Sequence, residues 1–168
     1  NAADSEINVE RIIFYIYCIV KKLNKQLTIK GDRNMIRKFE KKDINAVMEI
    51  WKKENIRVHN FIAKDYWKDN YEYVKDILPK ADIYVYILDE KIVGFVGVNN
   101  NYIEGIFIDI NNQHSGIGTS LLDKIKEKKD NLILNVYKQN KNAIKFYEKN
   151  NFIIISENID KNTNEIEY

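Results

Sequence analysis

The segment that most restricts the fold begins at Tyr102, where a β-branched run gives way to a glycine turn and then to a helical pattern. Residues Tyr102–Ile110 predict a strand, Gln113–Gly118 predict a loop with two glycines, and Thr119 to Lys129 predict a helix. Backbone N–H groups at such a turn, together with the positive end of the helix dipole, bind phosphate groups. The segment therefore predicts a pyrophosphate site. A plain strand-to-helix turn is the alternative, since no P-loop Lys-Ser/Thr follows the glycines.

The chain around this segment alternates between strand and helix patterns from Met35 onward. The predicted order is a strand, two helices, three antiparallel strands, and then helix, strand, helix and strand after the glycine turn. This order indicates an α/β (α+β) fold with a central sheet that is partly antiparallel and partly parallel. The strands are expected at 36–39, 83–88, 91–98, 102–110, 132–136, 152–156 and 165–168, and the helices at 42–55, before Pro79, at 119–129 and at 140–150.

Residues 1–34 are predicted to form an N-terminal extension, separate from a domain at 35–168. The apolar run Ile12–Val20 has the length of a helix and is far shorter than the ~20 residues that cross a bilayer. Acidic residues precede this run, which is unlike a signal peptide, so secretion is not expected. We expect this helix to pack on the domain or on a second copy, giving a homodimer. Asn1-Ala2 resembles the remnant of an expression tag, and Met35 is a candidate start residue.

The charge composition excludes several classes of partner. The 168 residues include 27 basic and 25 acidic side chains, interspersed along the chain, for a net charge of +2. A nucleic-acid or anionic-membrane binder would have a concentrated basic patch. The single cysteine, Cys18, cannot form an internal disulfide, and no His/Cys cluster has metal-ligand spacing. These features favour a cytoplasmic protein with no metal, and with neither nucleic acid nor membrane as a partner.

Two motifs resemble those of the GNAT family of N-acetyltransferases. The first is Q-x-x-G-x-G at Gln113–Gly118, between the strand GIFIDI and the helix TSLLDKIKEK. The second, Asn140–Phe152, is similar to the family's N-x-x-A-x-x-F-Y-x-x-x-G-F segment. The resemblance covers residues 35–168 and includes His59–Ile62 with Tyr66-Trp67, as in small bacterial members, some of which acetylate protein lysines. It implies the GNAT fold, with a mixed sheet that contains a splayed parallel pair of strands.

The resemblance also implies the reaction and its cofactor. An acetyl group moves from acetyl-CoA to a primary amine by direct attack in a ternary complex, and the amine belongs to a protein lysine, a protein N-terminus or a small molecule. Amides on the splayed strand are expected to bind the thioester and the pantetheine arm, and amides of the turn the pyrophosphate. The implied cofactor-binding residues are Ile106, Ile108, Gln113, His114, Ser115, Gly116, Ile117, Gly118, Thr119, Asn140, Ala143 and Tyr147.

The implied catalytic residues are Tyr147, Glu104 and Ile106. The phenol of Tyr147 would protonate the departing thiolate, and the backbone N–H of Ile106 would stabilise the developing oxyanion. Many relatives carry a glutamate where this chain has Asn135, which cannot accept a proton. By period-two alternation Glu104 lies on the same face as Ile106 and Ile108, where it could act as a base through a water. The alternatives are a core role for Tyr147, no role for Glu104, and proton loss to bulk water.

An aromatic stretch is expected to border the acceptor site. Such a wall can hold the alkyl stem of a lysine or a polyamine, whereas a structural cluster that closes the core is the alternative. The candidate substrate-binding residues are His59, Phe61, Tyr66 and Trp67, with Phe95 on the hairpin. For the chain as a whole, a non-catalytic acyl-CoA-binding module on the same fold is the alternative to an enzyme.

Overall fold

The computed structural model describes residues 34–168, and these form a four-stranded sheet, a two-stranded sheet and five α-helices. The larger sheet has the order β1 (Asn34–Lys38), β2 (Asp82–Leu88), β3 (Lys91–Asn99), β4 (Tyr102–Ile108), and the smaller one pairs β5 (Asn158–Ile159) with β6 (Ile166–Glu167). The helices are α1 (Ile44–Val58), α2 (Lys64–Asp69), α3 (Tyr71–Ile77), α4 (Ile117–Lys126) and α5 (Lys141–Lys149). Short 3-10 turns occupy Lys41–Asp43, Leu78–Lys80 and Ile110–Asn112. The predicted mixed α+β class is confirmed.

A tight hairpin joins β2 and β3, as the sequence predicts. Asp89 and Glu90 both lie in the left-handed region, with φ of 46° and 66°, which is the backbone of a two-residue type I′ turn. β3 then pairs with β4 in the same antiparallel sense. The three strands therefore form the predicted meander, and β4 carries the chain directly into the glycine turn.

Side chains from the two faces of the sheet pack into two separate cores. The first core joins α1 and α2 to the sheet, and its buried members are Val47, Met48, Ile50, Trp51, Ile62, Trp67, Ile83, Val85 and Phe95. The second core joins α4 to the sheet, and its buried members are Tyr84, Val93, Val96, Val98, Ile103, Ile117, Leu121, Leu122 and Ile125. The helix that follows the glycine turn therefore packs on one face of the sheet, and the aromatic residues of α1 and α2 pack on the other.

A bulge in β4 interrupts the alternation of its side chains. The pairing with β3 shifts register after the Gly97–Gly105 pair, so that Glu104 is an additional residue on the β4 side. Ile103 and Ile106 lie three positions apart and both pack in the second core, which strict alternation would forbid. The bulge therefore resets which residues of β4 share a face.

Two of the predicted strands are wrong. Residues 132–136 form no regular strand, because their region has only isolated bridges: Ile133 with Tyr102 in parallel, and Tyr137 with Glu167 antiparallel. Residues 152–156 are not in a strand either, since pairing begins only at Asn158. A β-branched run supplies the propensity for a strand, but a ladder also needs a neighbouring backbone.

The region before β2 is divided more finely than predicted. Two short helices, α2 and α3, and a 3-10 turn replace the single helix expected before Pro79. Pro79 lies in the first positions of that turn, where its missing N–H costs no hydrogen bond. In addition, α1 continues to Val58 rather than ending near Asn55, so His59 caps its C-terminus.

The predicted N-terminal helix, Cys18 and the homodimer contact lie outside the described residues, and the division at 34/35 stays a prediction. Across residues 34–168, none of the helices combines the length and the apolar character that a membrane span requires. Over the same range, no group of three or more His, Cys, Asp or Glu side chains could hold a metal ion.

Candidate active site at the open edge of β4

Within residues 34–168, the edge of β4 that faces away from β3 is paired only at its beginning. Ile103 N donates to Ile133 O at 2.8 Å, and Ile133 N donates to Asn101 O at 3.0 Å. Beyond this point, from Glu104 to Ile108, this edge makes no backbone hydrogen bond to another of the described residues. The strand therefore separates from the segment at 132–136 and leaves a row of backbone groups open.

The free edge presents the amides that the sequence singled out. Asp109 N donates to Val93 O of β3 at 2.9 Å. Because successive amides of a strand point to opposite sides, the N–H groups of Ile106 and Ile108 point away from β3, toward the open edge. An extended ligand with amide carbonyls could pair with these groups as an added strand does.

The glycine turn has the backbone geometry of an anion site. Gly116 is the N-cap of α4 with φ of 85°, and a Cβ placed on it would meet nothing within 4 Å. His114 also has a left-handed backbone, and Ser115 Oγ donates to Asn112 O at 2.5 Å, which ties the loop to itself. His114, Ser115, Gly116 and Thr119 are exposed, whereas Ile117 is buried beneath them. A ligand can thus approach the backbone at the N-terminus of a ten-residue helix.

Asn140 connects the second motif to the rest of the site. Its side-chain oxygen accepts a hydrogen bond from Ala143 N at 3.2 Å, so it is a true N-cap of α5. Its Nδ2 lies 3.3 Å from His59 Nε2. The cap role therefore uses the oxygen of the amide, and the nitrogen faces a different element of the fold.

Tyr147 is enclosed by aromatic rings on α5 and in the following loop. Its ring makes edge contacts with Phe146 at 5.1 Å and Phe152 at 5.4 Å between centroids. Burial raises the pKa of Tyr147 above its usual value, and the nearby phenol of Tyr102 raises it further. Tyr147 is therefore protonated at neutral pH, as a proton donor must be.

Glu104 is not on the face that alternation predicted. As the additional residue of the bulge, its Cβ would lie 3.8 Å from a Cβ on Gly97, and Ile83 of the first core lies beside the same point. Ile106 and Ile108 pack in the second core, on the opposite face. The prediction that Glu104 shares their face is wrong, because the extra residue changes the period of the strand at this position.

Three carboxylates lie near Tyr102 at the start of β4. Burial raises the pKa of Tyr102, and the charges of Glu104, Glu167 and Asp160 raise it further. None of the three forms an ion pair with another residue in the range 34–168. The hydrogen-bond partners of Glu167 and Asp160 are neutral: Glu167 accepts from Asn135 Nδ2 at 2.5 Å, and Asp160 from Tyr137 Oη at 2.6 Å. This side of the site is therefore negatively charged.

His59 lies in an aromatic cluster and bonds two amide side chains. Its ring stacks on Trp67 with centroids 5.3 Å apart and meets Phe61 and Tyr137 edge-on. Its Nδ1 lies 3.1 Å from Asn55 Oδ1, and its Nε2 faces Asn140. Burial lowers the pKa of His59 to about 4, so the ring is neutral at physiological pH.

The other aromatic candidates divide into core and partly exposed residues. Phe95 is 2% exposed and stacks on Phe107, and Trp67 is 7% exposed, so both contribute their surface to the first core. Phe61 and Tyr66 pack against that core but keep part of their surface accessible. A role in acceptor binding remains a prediction for His59, Phe61 and Tyr66.

The sequence reasoning missed Tyr102, Glu54 and Asn55. The sequence pattern indicates only a strand residue at Tyr102, yet its phenol lies near that of Tyr147. Glu54 and Asn55 are almost fully buried at the end of α1, although their residue types are usually exposed. Helical spacing gave a weak signal, since positions 47, 51 and 54 lie on one face of the helix, and Glu54 extends an otherwise apolar row.

Comparison with known proteins identifies relatives of this arrangement. A family model described as an acetyltransferase (GNAT) domain matches residues 79–154. The peptidyl-lysine N-acetyltransferase YiaC of Escherichia coli K12 is 31% identical over 123 residues, which cover 72% of this chain and 84% of that protein. The peptidyl-lysine N-acetyltransferase YjaB of Salmonella typhimurium LT2 is 30% identical over 118 residues, covering 70% and 81%.

Solved structures resemble the same part of the chain. The solution structure of apo-form YjaB from Escherichia coli has a TM-score of 0.71 at 23% identity and covers 80% of this chain and 93% of its own. PaiA N-acetyltransferase from Thermoplasma acidophilum, in complex with coenzyme A, has a TM-score of 0.60 at 20% identity and covers 80% and 96%. At these identities the two structures establish a common fold.

Proposed function

Since the chain belongs to the GNAT acetyltransferase family and is an acetyl-CoA-dependent N-acetyltransferase, we propose that its acceptor is the ε-amino group of a protein lysine. The observation that carries this proposal is the group of three carboxylates near Tyr102, none of which has an ion-pair partner within residues 34–168. A lysine side chain is a cation with an apolar stem, so negative charge beside aromatic rings suits it. The names of the relatives YiaC and YjaB, peptidyl-lysine N-acetyltransferases, support the same acceptor.

The residues of the open edge fit acetyl-CoA as the donor. The free amides of Ile106 and Ile108 are suited to the carbonyls of the thioester and the pantetheine arm. The glycine turn at Gln113–Gly118 is suited to the pyrophosphate, because its backbone is accessible at Gly116 and it opens a helix N-terminus. When bound, acetyl-CoA supplies an acetyl group on a good leaving thiolate. The chain has to orient it, polarise its carbonyl and provide one proton.

Two groups of the chain are assigned to the acyl-transfer step. The Ile106 N–H, on the open edge of β4 two residues after the bulge, donates a hydrogen bond to the carbonyl oxygen as negative charge develops there. The phenol of Tyr147 holds a proton at neutral pH and gives it to the departing sulfur. The bond from nitrogen to the acetyl carbon forms as the carbon–sulfur bond breaks. The attacking nitrogen then loses its extra proton, which restores the phenol of Tyr147, so atoms and charge balance without a covalent enzyme intermediate.

Glu104 is assigned to the removal of the proton from the lysine ammonium. It is exposed, it lies at the bulge next to Gly105, and its charge acts on Tyr102. From there it can take the proton through a water, a role that Asn135 cannot fill. A carboxylate that also attracts the cationic acceptor would serve both binding and deprotonation.

The acceptor can be tested with three amines at saturating acetyl-CoA. The first is an N-acetylated peptide with one lysine, the second is the same peptide with arginine for lysine and a free N-terminus, and the third is spermidine. We expect the lysine peptide to have the highest kcat/KM, measured by CoA release and by the mass of the product. A higher kcat/KM for the free N-terminus or for spermidine would exclude lysine as the preferred acceptor.

Variants of the carboxylates connect that preference to the structure. Glu167→Gln should raise the KM of the lysine peptide by about two- to fivefold, the effect of one partly exposed charge. Glu104→Gln should raise that KM and also lower kcat, because it removes the assigned base. The matched control is Glu72→Gln, an exposed carboxylate on α3. Equal KM values for all three variants and the parent would show that the carboxylates do not contribute to acceptor binding.

A further inference from the structure

The last turn of α1 carries two polar side chains that are buried. Of the described residues, those both buried and polar or charged are Asp43, Glu54 and Asn55. Asp43 precedes α1 and is paired with Arg37 at 2.6 Å, which explains its burial. Glu54 and Asn55 are 4% and 3% exposed, and they lie next to each other at the other end of the helix. Burial of such groups is costly unless each is hydrogen-bonded, so their partners are informative.

Glu54 bonds the first residue of the glycine turn. Gln113 Nε2 donates one hydrogen bond to Glu54 Oε2 at 3.0 Å and a second to Ile108 O at 2.9 Å. The same carboxylate oxygen accepts from Arg57 Nε at 3.0 Å and from Nη2 at 2.5 Å. The amide of Gln113 thus joins α1, the end of β4 and the turn at one point. The position of the turn relative to β4 depends on the carboxylate of Glu54.

Hydrogen bonds connect Asn55 through His59 to the start of α5. Asn55 Nδ2 donates to Trp51 O at 3.0 Å, which leaves its Oδ1 to accept from His59 Nδ1 at 3.1 Å. Asn140 uses its Oδ1 for Ala143 N, so its Nδ2 donates to His59 Nε2 at 3.3 Å. The two amides define the tautomer of His59, with the proton on Nδ1. This chain of hydrogen bonds runs from α1 to the N-cap of α5.

We propose that the C-terminal turn of α1 is a positioning element for acetyl-CoA, in which Glu54 holds Gln113 at the glycine turn and His59 holds Asn140 at the start of α5. The two links begin at Glu54 and Asn55, which are adjacent residues of one helix. Together they set the distance between the glycine turn and the start of α5, the two segments assigned to the cofactor. His59 is then a positioning residue that acts through Asn140, rather than a contact for the acceptor. This inference rests on the proposed cofactor role of those two segments.

The packing around His59 suits a fixed connector. The ring is stacked on Trp67, which is itself buried, and both ring nitrogens are occupied by neutral amides. A side chain that contacts a changing series of protein substrates would gain little from such enclosure. A side chain that fixes the N-cap of α5 gains from each of these contacts, since they restrict its rotamer.

The test measures CoA affinity directly, by isothermal titration, in five proteins. His59→Phe keeps the stack on Trp67 but removes both hydrogen bonds, and we expect it to weaken CoA binding about five- to tenfold, the effect of one good hydrogen bond. His59→Gln can restore part of the link and should lie between His59→Phe and the parent. Glu54→Gln should weaken CoA binding in the same direction. Glu49→Gln, an exposed residue of the same helix paired with Lys52 and Lys53, should bind CoA as the parent does.

Steady-state kinetics distinguish positioning from an acceptor contact. Positioning predicts a higher KM for acetyl-CoA in His59→Phe with an unchanged KM for the amine. A higher KM for the amine with unchanged CoA affinity would overturn the inference and indicate that His59 contacts the acceptor. Unchanged CoA affinity in both His59→Phe and Glu54→Gln would also overturn it. If His59→Phe fails to fold, His59→Gln and Glu54→Gln decide.

The outcome is independent of the acceptor class. CoA affinity can be compared between variants even if the lysine peptide proves to be a poor substrate. Failure of the lysine proposal would appear as a different preferred amine with the same CoA affinities. Failure of the positioning inference would appear as unchanged CoA affinities, whichever amine is preferred.

Discussion

The ring of Phe146 lies against the backbone of Gly118: a Cβ placed on Gly118 would be 3.2 Å from Phe146 Cε2 and 3.3 Å from Cζ. Gly118 is in the first turn of α4 and Phe146 is on α5, so the two sequence motifs meet at this contact. A methyl group on residue 118 would require the ring to move by a few tenths of an ångström. The second glycine of the turn is therefore needed for helix packing, and the first for access to the backbone.

Gly118→Ala should lower stability although alanine is the better helix former. In an exposed helix the change would add about 1 kcal/mol, whereas overpacking costs about 1–3 kcal/mol. We expect a net loss in the free energy of unfolding, measured with urea. In a Phe146→Leu background the loss should shrink, because the smaller side chain leaves room for the methyl group. An equal loss in both backgrounds would show that the ring does not cause it.

Gly116→Ala and Gly116→Asn separate backbone strain from ligand access. Residue 116 has φ of 85° with open space around it, so alanine is strained there whereas asparagine tolerates the conformation. Gly116→Asn should therefore keep most of the stability and still weaken CoA binding by at least tenfold, because its side chain occupies the approach to the turn. Parent-like CoA affinity in Gly116→Asn, by titration, would mean that the pyrophosphate binds elsewhere.

Tyr147→Phe should reduce kcat by about 10²-fold or more while CoA affinity changes little. The phenol is assigned as the acid for the leaving thiolate, and general acids contribute about 10²–10⁴-fold. Tyr73→Phe is the matched control, since Tyr73 is 64% exposed on α3. Parent-like kcat in Tyr147→Phe would indicate that Tyr147 is a structural core residue and not the acid.

Stability should decline as pH falls below 6.5, and His59 should cause part of that decline. Burial lowers the pKa of His59 from 6.5 to about 4. Between these pH values the imidazole binds a proton in the unfolded chain but stays neutral in the folded chain. The contribution of His59 is complete above 6.5 and is lost progressively toward 4, with a slope of at most about 1.4 kcal/mol per pH unit. Urea unfolding of His59→Gln should give a smaller slope in this window.

The second histidine provides the control for that measurement. The chain has two histidines, and His114 is exposed on the glycine turn. His114→Gln removes the other imidazole of the chain without changing the buried cluster around His59. A slope that falls in His114→Gln and not in His59→Gln would contradict the assignment of the buried ring.

The local patterns in the sequence predicted the elements that are stabilised locally. The Asp89–Glu90 hairpin, the helix after the glycines and the helix that begins after Asn140 all form where the sequence places them. The order of these elements and the two motifs were sufficient for the family and the reaction. The runs at 132–136 and 152–156 failed as strands, because a strand depends on a partner that its own sequence does not contain.

The position of the groups proposed for catalysis was decided by tertiary structure. One additional residue in β4 placed Glu104 on the opposite face from Ile106, a change that no local pattern reveals. The link from Glu54 to Gln113 joins residues 59 positions apart in the chain, and the link from His59 to Asn140 joins residues 81 apart. By itself the sequence determined the motifs and the fold class, since these follow from short-range periodicity and residue type, and the resemblance of the motifs to the GNAT family implied the chemistry. Only the folded chain decided the bulge and the buried hydrogen bonds, because they depend on which distant backbones and side chains come into contact.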